Sequence, residues 1–132
     1  MSYSTIYTMK IKGVATKADL EALLDEMEET GDLGIMFDFD KRSVTYNTRS
    51  HTANVYTWGE YCGYEDPHVI IRDKISRKHP EMTFAIYAEG EDWDDRMVYL
   101  IQNGEREDLY GKLKFTAPKK IAWKGDLTIH GV

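Results

Sequence analysis

The sequence has one cysteine, Cys62, and it has no apolar run that approaches the ~20 residues of a membrane-spanning helix. A single cysteine excludes an internal disulfide framework and is typical of a protein that works in a reducing cytoplasm. Residues 1–3 lead directly into strand-like sequence, without the basic region and apolar run of a secretion signal. We therefore expect a cytoplasmic protein, with no contact with a membrane.

Motifs of catalytic or metal-binding sites are also missing. The four histidines are scattered, none four residues from another, and no cysteine or carboxylate pattern completes a ligand set. Cys62 lies between Tyr61 and Gly63, without an adjacent basic residue to activate it. The acidic tract at residues 89–95 lacks the Asp-x-Asp-x-Asp-Gly order of a calcium loop. We expect no enzymatic activity, no cofactor and no metal.

Charge is unevenly distributed along the chain, whose net charge is −6. Residues 1–95 hold 10 basic and 19 acidic residues, a net of −9, whereas residues 96–132 hold 7 and 4, a net of +3. Contacts with phosphates supply most non-specific affinity for nucleic acids, so an acidic chain is a poor general binder of them. A partner with a basic surface fits this charge better.

The first helix is predicted from a capping pattern, in which Thr16 precedes Asp19 by three residues. Apolar residues follow at the i, i+3, i+4, i+7 spacing of a helix that faces a core, and Gly31 ends the helix. These apolar residues are Leu20, Leu23, Leu24 and Met27. The outer face of this helix is acidic.

A second helix is predicted to begin at Asp66-Pro67, since Asp can cap a helix and Pro is tolerated in its first turn. Ile71 and Ile75 lie one turn apart and predict its buried face. Pro80 forbids continuation and moves His79 out of the helical region. The helix should therefore end just before residue 79.

Two runs after Pro80 alternate with the period of a β-strand, residues 82–88 and 96–102. The acidic sequence EGEDWDD between them predicts a long hairpin with a solvated tip, and Asn103-Gly104 predicts a second tight turn. We expect one core under both helices. Its predicted members are Leu20, Leu23, Leu24, Met27, Ile71, Ile75, Phe84, Ile86, Val98 and Leu100.

Further strands are predicted at residues 3–12 and 53–58, and residues 35–39 and 43–47 predict a hairpin around Asp40-Lys41-Arg42. Short C-terminal strands are predicted at residues 108–116 and 124–130. The order of helices and strands indicates a single domain over residues 1–132, an α+β fold of the ferredoxin-like kind. Two helices would cover one face of its antiparallel sheet, with the extra strands at the C-terminus.

Three segments carry a resemblance to a known family: Ile11-Lys12-Gly13, Trp58-Gly59, and the run ISRKHPEMTFAIYAEGEDWDDRMVYLIQNGE. Over residues 3–105 the chain resembles the YubB-like ferredoxin-fold family of phages, plasmids and other mobile elements. The resemblance implies a ferredoxin-like fold and a mobile-element origin, and hence the cytoplasm of a host cell. It supplies no catalytic residues.

The leading functional hypothesis is a small non-enzymatic protein that binds a macromolecular partner through an acidic surface. Rows of acids that imitate phosphates would suit an inhibitor of a host nucleic-acid-handling or defence system, of the anti-CRISPR kind. Trp93 could anchor such an interface. Solubility would explain the same acidic residues without any partner. The candidate partner-binding residues are Asp25, Glu28, Glu29, Asp32, Glu89, Glu91, Asp92, Trp93, Asp94 and Asp95. The partner would be a host protein or a protein–nucleic-acid complex.

An alternative hypothesis is a nucleic-acid-binding ferredoxin-like module. Tyr7, Tyr87 and Tyr99 would stack on bases from one sheet face, and lysines of the C-terminal region would bind phosphates. These lysines are Lys112, Lys114, Lys119, Lys120 and Lys124. An open face with exposed tyrosines would favour this hypothesis, and a covered face would count against it.

Overall fold

A computed structural model describes residues 5–57, 66–90, 96–110 and 120–123 of the chain. These residues form an antiparallel sheet of seven strands with helical segments packed against one face. The strands are β1 (Thr5–Lys12), β2 (Phe37–Asp38), β3 (Thr45–Asn47), β4 (Thr52–Thr57), β5 (Thr83–Gly90), β6 (Arg96–Gln102) and β7 (Glu105–Tyr110). The helices are α1 (Lys17–Glu28), α2 (Leu33–Met36) and α3 (Pro67–Ile70). The predicted α+β class is confirmed.

The sheet order is β2-β4-β1-β5-β6-β7, and β3 also pairs with β4. Since β4 and β5 are each antiparallel to β1, they run parallel to one another with β1 between them. The chain from β4 to β5 passes through α3, so these segments form a split β-α-β unit. Seven strands exceed the four of a simple ferredoxin-like sheet.

Helix α1 follows the capping pattern that the sequence predicts. The Thr16 hydroxyl oxygen accepts a hydrogen bond from the Asp19 backbone N–H at 3.1 Å, and the hydroxyl donates to the Asp19 carboxylate at 2.8 Å. All four predicted core residues of this helix are buried. Glu29 follows as the cap, and Gly31 has a positive φ of 52°.

Helix α3 begins at Pro67, with Asp66 at the capping position, as predicted. The Asp66 side chain makes no capping hydrogen bond. After Ile70 the helix widens into a π turn, Ile71–Ile75, and then tightens into a 3₁₀ turn, Ser76–Lys78. Ile70, Ile71 and Ile75 are fully buried, so the apolar stripe faces the sheet as expected.

The predicted hairpin over residues 35–47 is wrong. The structure has the short helix α2 before Phe37, and both β2 and β3 pair with β4 instead of with each other. Phe37 lies opposite Thr57, and Tyr46 lies opposite Ala53. The edge of β4 that faces away from β1 has backbone groups in need of partners, and two short strands satisfy more of them than a separate hairpin would.

The predicted single core is also wrong, because the apolar residues of β5 and β6 divide between the two faces of the sheet. Phe84 lies opposite Ile101 and packs beneath the helices. Val98 and Leu100 instead belong to a second cluster on the opposite face. β6 is apolar on both faces, so its periodicity alone could not decide which residues face the helices.

The second cluster is covered by residues 120–123. Its buried members are Ala85, Tyr87, Val98, Leu100, Leu109 and Ile121. Trp123 packs against this cluster, and the Lys12 ammonium lies 4.0 Å from the centroid of the Trp123 ring. The Glu107 carboxylate accepts hydrogen bonds from the N–H groups of Lys120 at 2.7 Å and Ile121 at 3.2 Å. These bonds hold the covering segment against the sheet.

The predicted turn at Asn103-Gly104 is confirmed, with φ of 47° and 80°. Gly104 is favoured here because its φ is positive, and a Cβ at this position would displace the Arg77 side chain. Its N–H donates to the Ser76 hydroxyl at 2.8 Å, which ties the turn to the end of the helical segment. The following strand, β7, begins earlier than predicted, at Glu105; residues 111–116 and 124–130 lie outside the described residues.

Candidate functional site

The outer face of α1 carries a row of acidic residues at helical spacing. Glu21, Asp25 and Glu28 lie at i, i+4 and i+7, which places them on one side of the helix. Asp25 and Glu28 are exposed, Glu21 is half-buried, and the exposed cap residue Glu29 extends the row. We call these four residues the α1 acidic row.

In the described part of the chain, one ion pair forms with this row. The Lys41 ammonium lies 3.3 Å from the Asp25 carboxylate, whose side chain is still 66% exposed. Among the described residues, Glu28 and Glu29 form no ion pair. Basic side chains also lie near the row: Lys17 and Lys41 line a pocket with Glu21, and Lys74, Arg77 and Lys78 line another with Glu29. The charge of the row is therefore exposed at Asp25 and Glu28 and lies beside basic side chains at Glu29.

Asp32 lies apart from this row, at the capping position of α2. Its backbone carbonyl accepts hydrogen bonds from Ile35 at 3.1 Å and Met36 at 3.3 Å, and the residue is half-buried. Asp32 therefore has a structural role in starting α2, in addition to its predicted place near the end of α1.

The second predicted acidic tract lies only partly within the described structure. Glu89 belongs to β5 and lies opposite Arg96 in β6, with 3.9 Å between the carboxylate and the guanidinium. It is half-buried in the sheet, below the predicted solvated tip. The other predicted residues of this tract, Glu91, Asp92, Trp93, Asp94 and Asp95, lie outside the described residues.

A cleft of about 240 Å³ lies between α1 and the chain that enters β5. We call it the α1–β5 cleft. Its floor is apolar and includes Ala15, Ala22, Leu23 and Met82. Leu23 and Met82 are buried and belong to the core, whereas Ala15 and Ala22 are exposed, so the floor rests on the interior and opens to solvent.

Three carboxylates and one imidazole border this cleft: Asp19, Glu26, Glu81 and His79. His79 Nε2 lies 2.8 Å from a Glu26 carboxylate oxygen, and the Lys78 ammonium lies 3.3 Å from the other oxygen. Burial alone would raise the pKa of Glu26, but its hydrogen bonds with His79 and Lys78 outweigh burial and lower that pKa. Glu26 is therefore ionised, and each of its carboxylate oxygens already has a partner, His79 or Lys78.

The sequence did not predict this cleft, because Glu26 and His79 are separated by 53 residues. One signal was present: Pro80 moves His79 out of the helical region, and His79 indeed ends the helical segment, with φ of −131°. Whether the His79 imidazole then meets Glu26 depends on how α1 packs against the sheet. Local sequence does not encode that packing.

The three tyrosines of the alternative hypothesis do not share a sheet face. Tyr7 and Tyr99 pack on the helix side, and Tyr87 lies in the second cluster. Tyr7 and Tyr87 are buried, and burial raises the pKa of Tyr87 to about 12. Of the lysines assigned to phosphate binding, Lys120 is exposed and the other four lie outside the described residues. These tyrosines therefore offer no common stacking surface.

Tyr99 is instead stacked against His68, with ring centroids 3.8 Å apart and planes 8° from parallel. Burial lowers the pKa of His68 and raises that of Tyr99, so both rings are uncharged at neutral pH. The Arg106 guanidinium lies 5.8 Å from the Tyr99 ring centroid and pairs with Asp108 at 3.1 Å. This cluster joins the start of α3 to the outer strands of the sheet.

Within the described ranges, no group of three or more His, Cys, Asp or Glu side chains is arranged to hold a metal ion. Cys62 lies outside those ranges. The helices of the described part of the chain are too short or too polar to cross a membrane.

Comparison of the chain with family models, with curated proteins and with solved structures found no match in any of the three.

Proposed function

We propose that this protein binds a macromolecular partner with a basic surface, and that the α1 acidic row is its main contact. The observation that carries the proposal is the exposed charge at Asp25, Glu28 and Glu29, of which Asp25 alone forms an ion pair among the described residues. The last turn of α1 has no basic residue. Acids near a helix C-terminus oppose the helix dipole and cost some tenths of a kcal/mol each. Stability of the helix therefore does not account for them.

The spacing of the row supports a nucleic-acid-like surface. A rise of 1.5 Å per residue spreads Glu21, Asp25 and Glu28 over about 10 Å of helix axis. One DNA strand carries a phosphate for about every 3.4 Å of its axis, so three charges over that length are a comparable density. A host protein that binds nucleic acid, or its complex with nucleic acid, is the partner that this density fits.

Within this proposal, the protein is a non-enzymatic, cytoplasmic inhibitor of a host nucleic-acid-handling or defence system, of the anti-CRISPR kind. A phage or mobile-element origin is what the resemblance of residues 3–105 to the YubB-like family implies, and it belongs to this proposal. The split β4-α3-β5 unit around β1 supports a ferredoxin-like relationship, in which the outer strands are additions. The alternative of direct nucleic-acid binding has less support, because Ile121 and Trp123 pack over Tyr87's side of the sheet.

The test is a differential capture from a bacterial host lysate. One bait is the wild-type chain, and a second carries Asp25→Asn, Glu28→Gln and Glu29→Gln. The control bait carries the same number of neutralised acids elsewhere, Asp40→Asn, Asp73→Asn and Glu105→Gln, all at exposed positions. The proposal predicts proteins that the wild-type and control baits retain and the α1 variant loses. Equal retention by all three folded baits would contradict it.

A further inference from the structure

We propose that the α1–β5 cleft receives an arginine side chain of the basic partner. This inference rests on the proposed function and names the contact that would give it specificity. The α1 acidic row is exposed and would attract any basic surface, whereas a cleft can select the shape of one side chain.

The cleft suits a side chain that is apolar along its length and charged at its end. Its volume of about 240 Å³ exceeds that of a single large side chain. The floor of Ala15, Ala22, Leu23 and Met82 would pack against the methylene groups of the stem. Long basic side chains bury their stems against apolar surfaces in this way while the charged group stays at the rim.

The charge at the rim selects a cation. Glu81 is exposed and forms no ion pair among the described residues, while Asp19 receives its hydrogen bond from Thr16. Glu26 is already bonded to Lys78 and His79. Glu81 and Asp19 are therefore the carboxylates left to bind an entering group. A guanidinium donates several hydrogen bonds in a fixed plane that matches the geometry of a carboxylate, which favours arginine over lysine.

One wall of the cleft is held in place by a close backbone contact. Gly13 has a φ of 91°, and a Cβ at this position would collide with the Glu81 carbonyl oxygen. The Gly13 N–H donates to the His51 carbonyl at 3.1 Å, which fixes the same turn from the other side. The backbone of Glu81 is therefore packed closely against Gly13, which fixes the point from which its side chain reaches the cleft.

The test uses two capped tripeptides, Gly-Arg-Gly and its neutral analogue Gly-citrulline-Gly, titrated into the isotope-labelled full chain. We expect the arginine peptide to shift the amide resonances of Gly13, Ala22 and Glu81, and the citrulline peptide to shift them far less. Glu81→Gln should weaken arginine binding about tenfold by removing a charge-assisted hydrogen bond. Ala22→Leu, which keeps a good helix former, should block the cleft and abolish the shifts.

The matched control is Glu105→Gln, which removes one exposed charge at the start of β7, outside the cleft. It should leave arginine binding unchanged. Equal shifts with both peptides, or equal weakening by Glu81→Gln and Glu105→Gln, would overturn the proposal. The two proposals fail separately. If the chain binds the arginine peptide, but the variant with Asp25, Glu28 and Glu29 neutralised captures the same proteins as the wild type, the cleft proposal stands and the α1 acidic row is refuted. If the arginine peptide does not bind, but the variant with Asp25, Glu28 and Glu29 neutralised loses captured proteins, the α1 acidic row stands and the cleft proposal is refuted.

Discussion

The two faces of the sheet are built differently. The face beneath the helices buries one continuous cluster from β1, β4, β5 and the three helices. The opposite face buries a smaller cluster, centred on β5 and β6 and covered by Ile121 and Trp123. The cover of the first face follows from the helical periodicity of its apolar residues. The described part of the second cover is a short segment that is hydrogen-bonded to Glu107. The described cover of the second face is therefore the one that a change at Glu107 should loosen.

The largest expected effect comes from truncation of buried residues on either face. Leu24→Ala beneath the helices and Leu100→Ala on the opposite face should each lower the free energy of unfolding by about 2–5 kcal/mol. Because the sheet separates them, their effects should add to within about 0.5 kcal/mol in the double variant. Chemical denaturation of the four proteins measures this, and strong coupling would show that the two clusters are one core.

A smaller effect is expected on the second face at high pH. Burial raises the pKa of Tyr87 to about 12, above its ordinary value of 10.0, so the folded state retains the proton that the unfolded state releases. The stability that depends on this difference is fully present below pH 10 and is lost as the pH rises towards 12. The expected loss is about 2–3 kcal/mol.

Tyr87→Phe is the matched variant, since it keeps the ring and removes the titrating group. Its unfolding free energy should fall less between pH 10 and pH 12 than that of the wild type. A parallel decline in both proteins would assign the alkaline sensitivity to another group, such as Tyr99, whose pKa burial also raises.

The cover of the second face should be loosened by Glu107→Ala. This change removes the acceptor for two backbone N–H groups, and we expect a loss of about 1–2 kcal/mol. Hydrogen exchange at the amides of Lys120 and Ile121 should become faster, while amides of β5 stay protected. Glu107→Gln keeps an acceptor oxygen and should show a weaker effect. Unchanged exchange in the alanine variant would mean that packing alone holds the segment.

The smallest effect concerns the helix side, at Glu26. Its pKa is lowered, so its contribution to stability is present above the unfolded value of 4.5 and is lost as the pH falls below it. The carboxylate is partly exposed, and solvent screening limits the contribution to roughly 1 kcal/mol or less. In the Glu26→Gln variant, the free energy of unfolding should fall less than in the wild type as the pH drops below 4.5. An equal fall in both proteins would show that the contacts with Lys78 and His79 contribute nothing.

Local signals in the sequence predicted the parts of the fold that depend on local chemistry. The capped start of α1, the start of α3 at Pro67 and the turn at Asn103-Gly104 are confirmed, since each follows from the conformational preferences of a few adjacent residues. The pairing of β2 and β3 with β4 was not predictable, because strand partners are chosen by the competition of several segments for one edge.

The candidate site divides in the same way. The acidic outer face of α1 could be predicted, because helical periodicity places its charges opposite the buried leucines. The α1–β5 cleft could not, because it forms where residues distant in sequence meet. The sequence also could not show which apolar residues of β5 and β6 face each of the two clusters, since both strands are apolar on both faces.

The central claim is that the α1 acidic row binds a basic partner, and its most direct test is the association rate against the captured partner over a range of salt concentrations. Charges at the edge of an interface act mainly on association, so the wild-type rate should fall steeply as salt rises. The variant with Asp25→Asn, Glu28→Gln and Glu29→Gln should associate more slowly at low salt and depend less on salt, with its circular dichroism unchanged. Equal association rates for wild type and variant at every salt concentration would contradict the account.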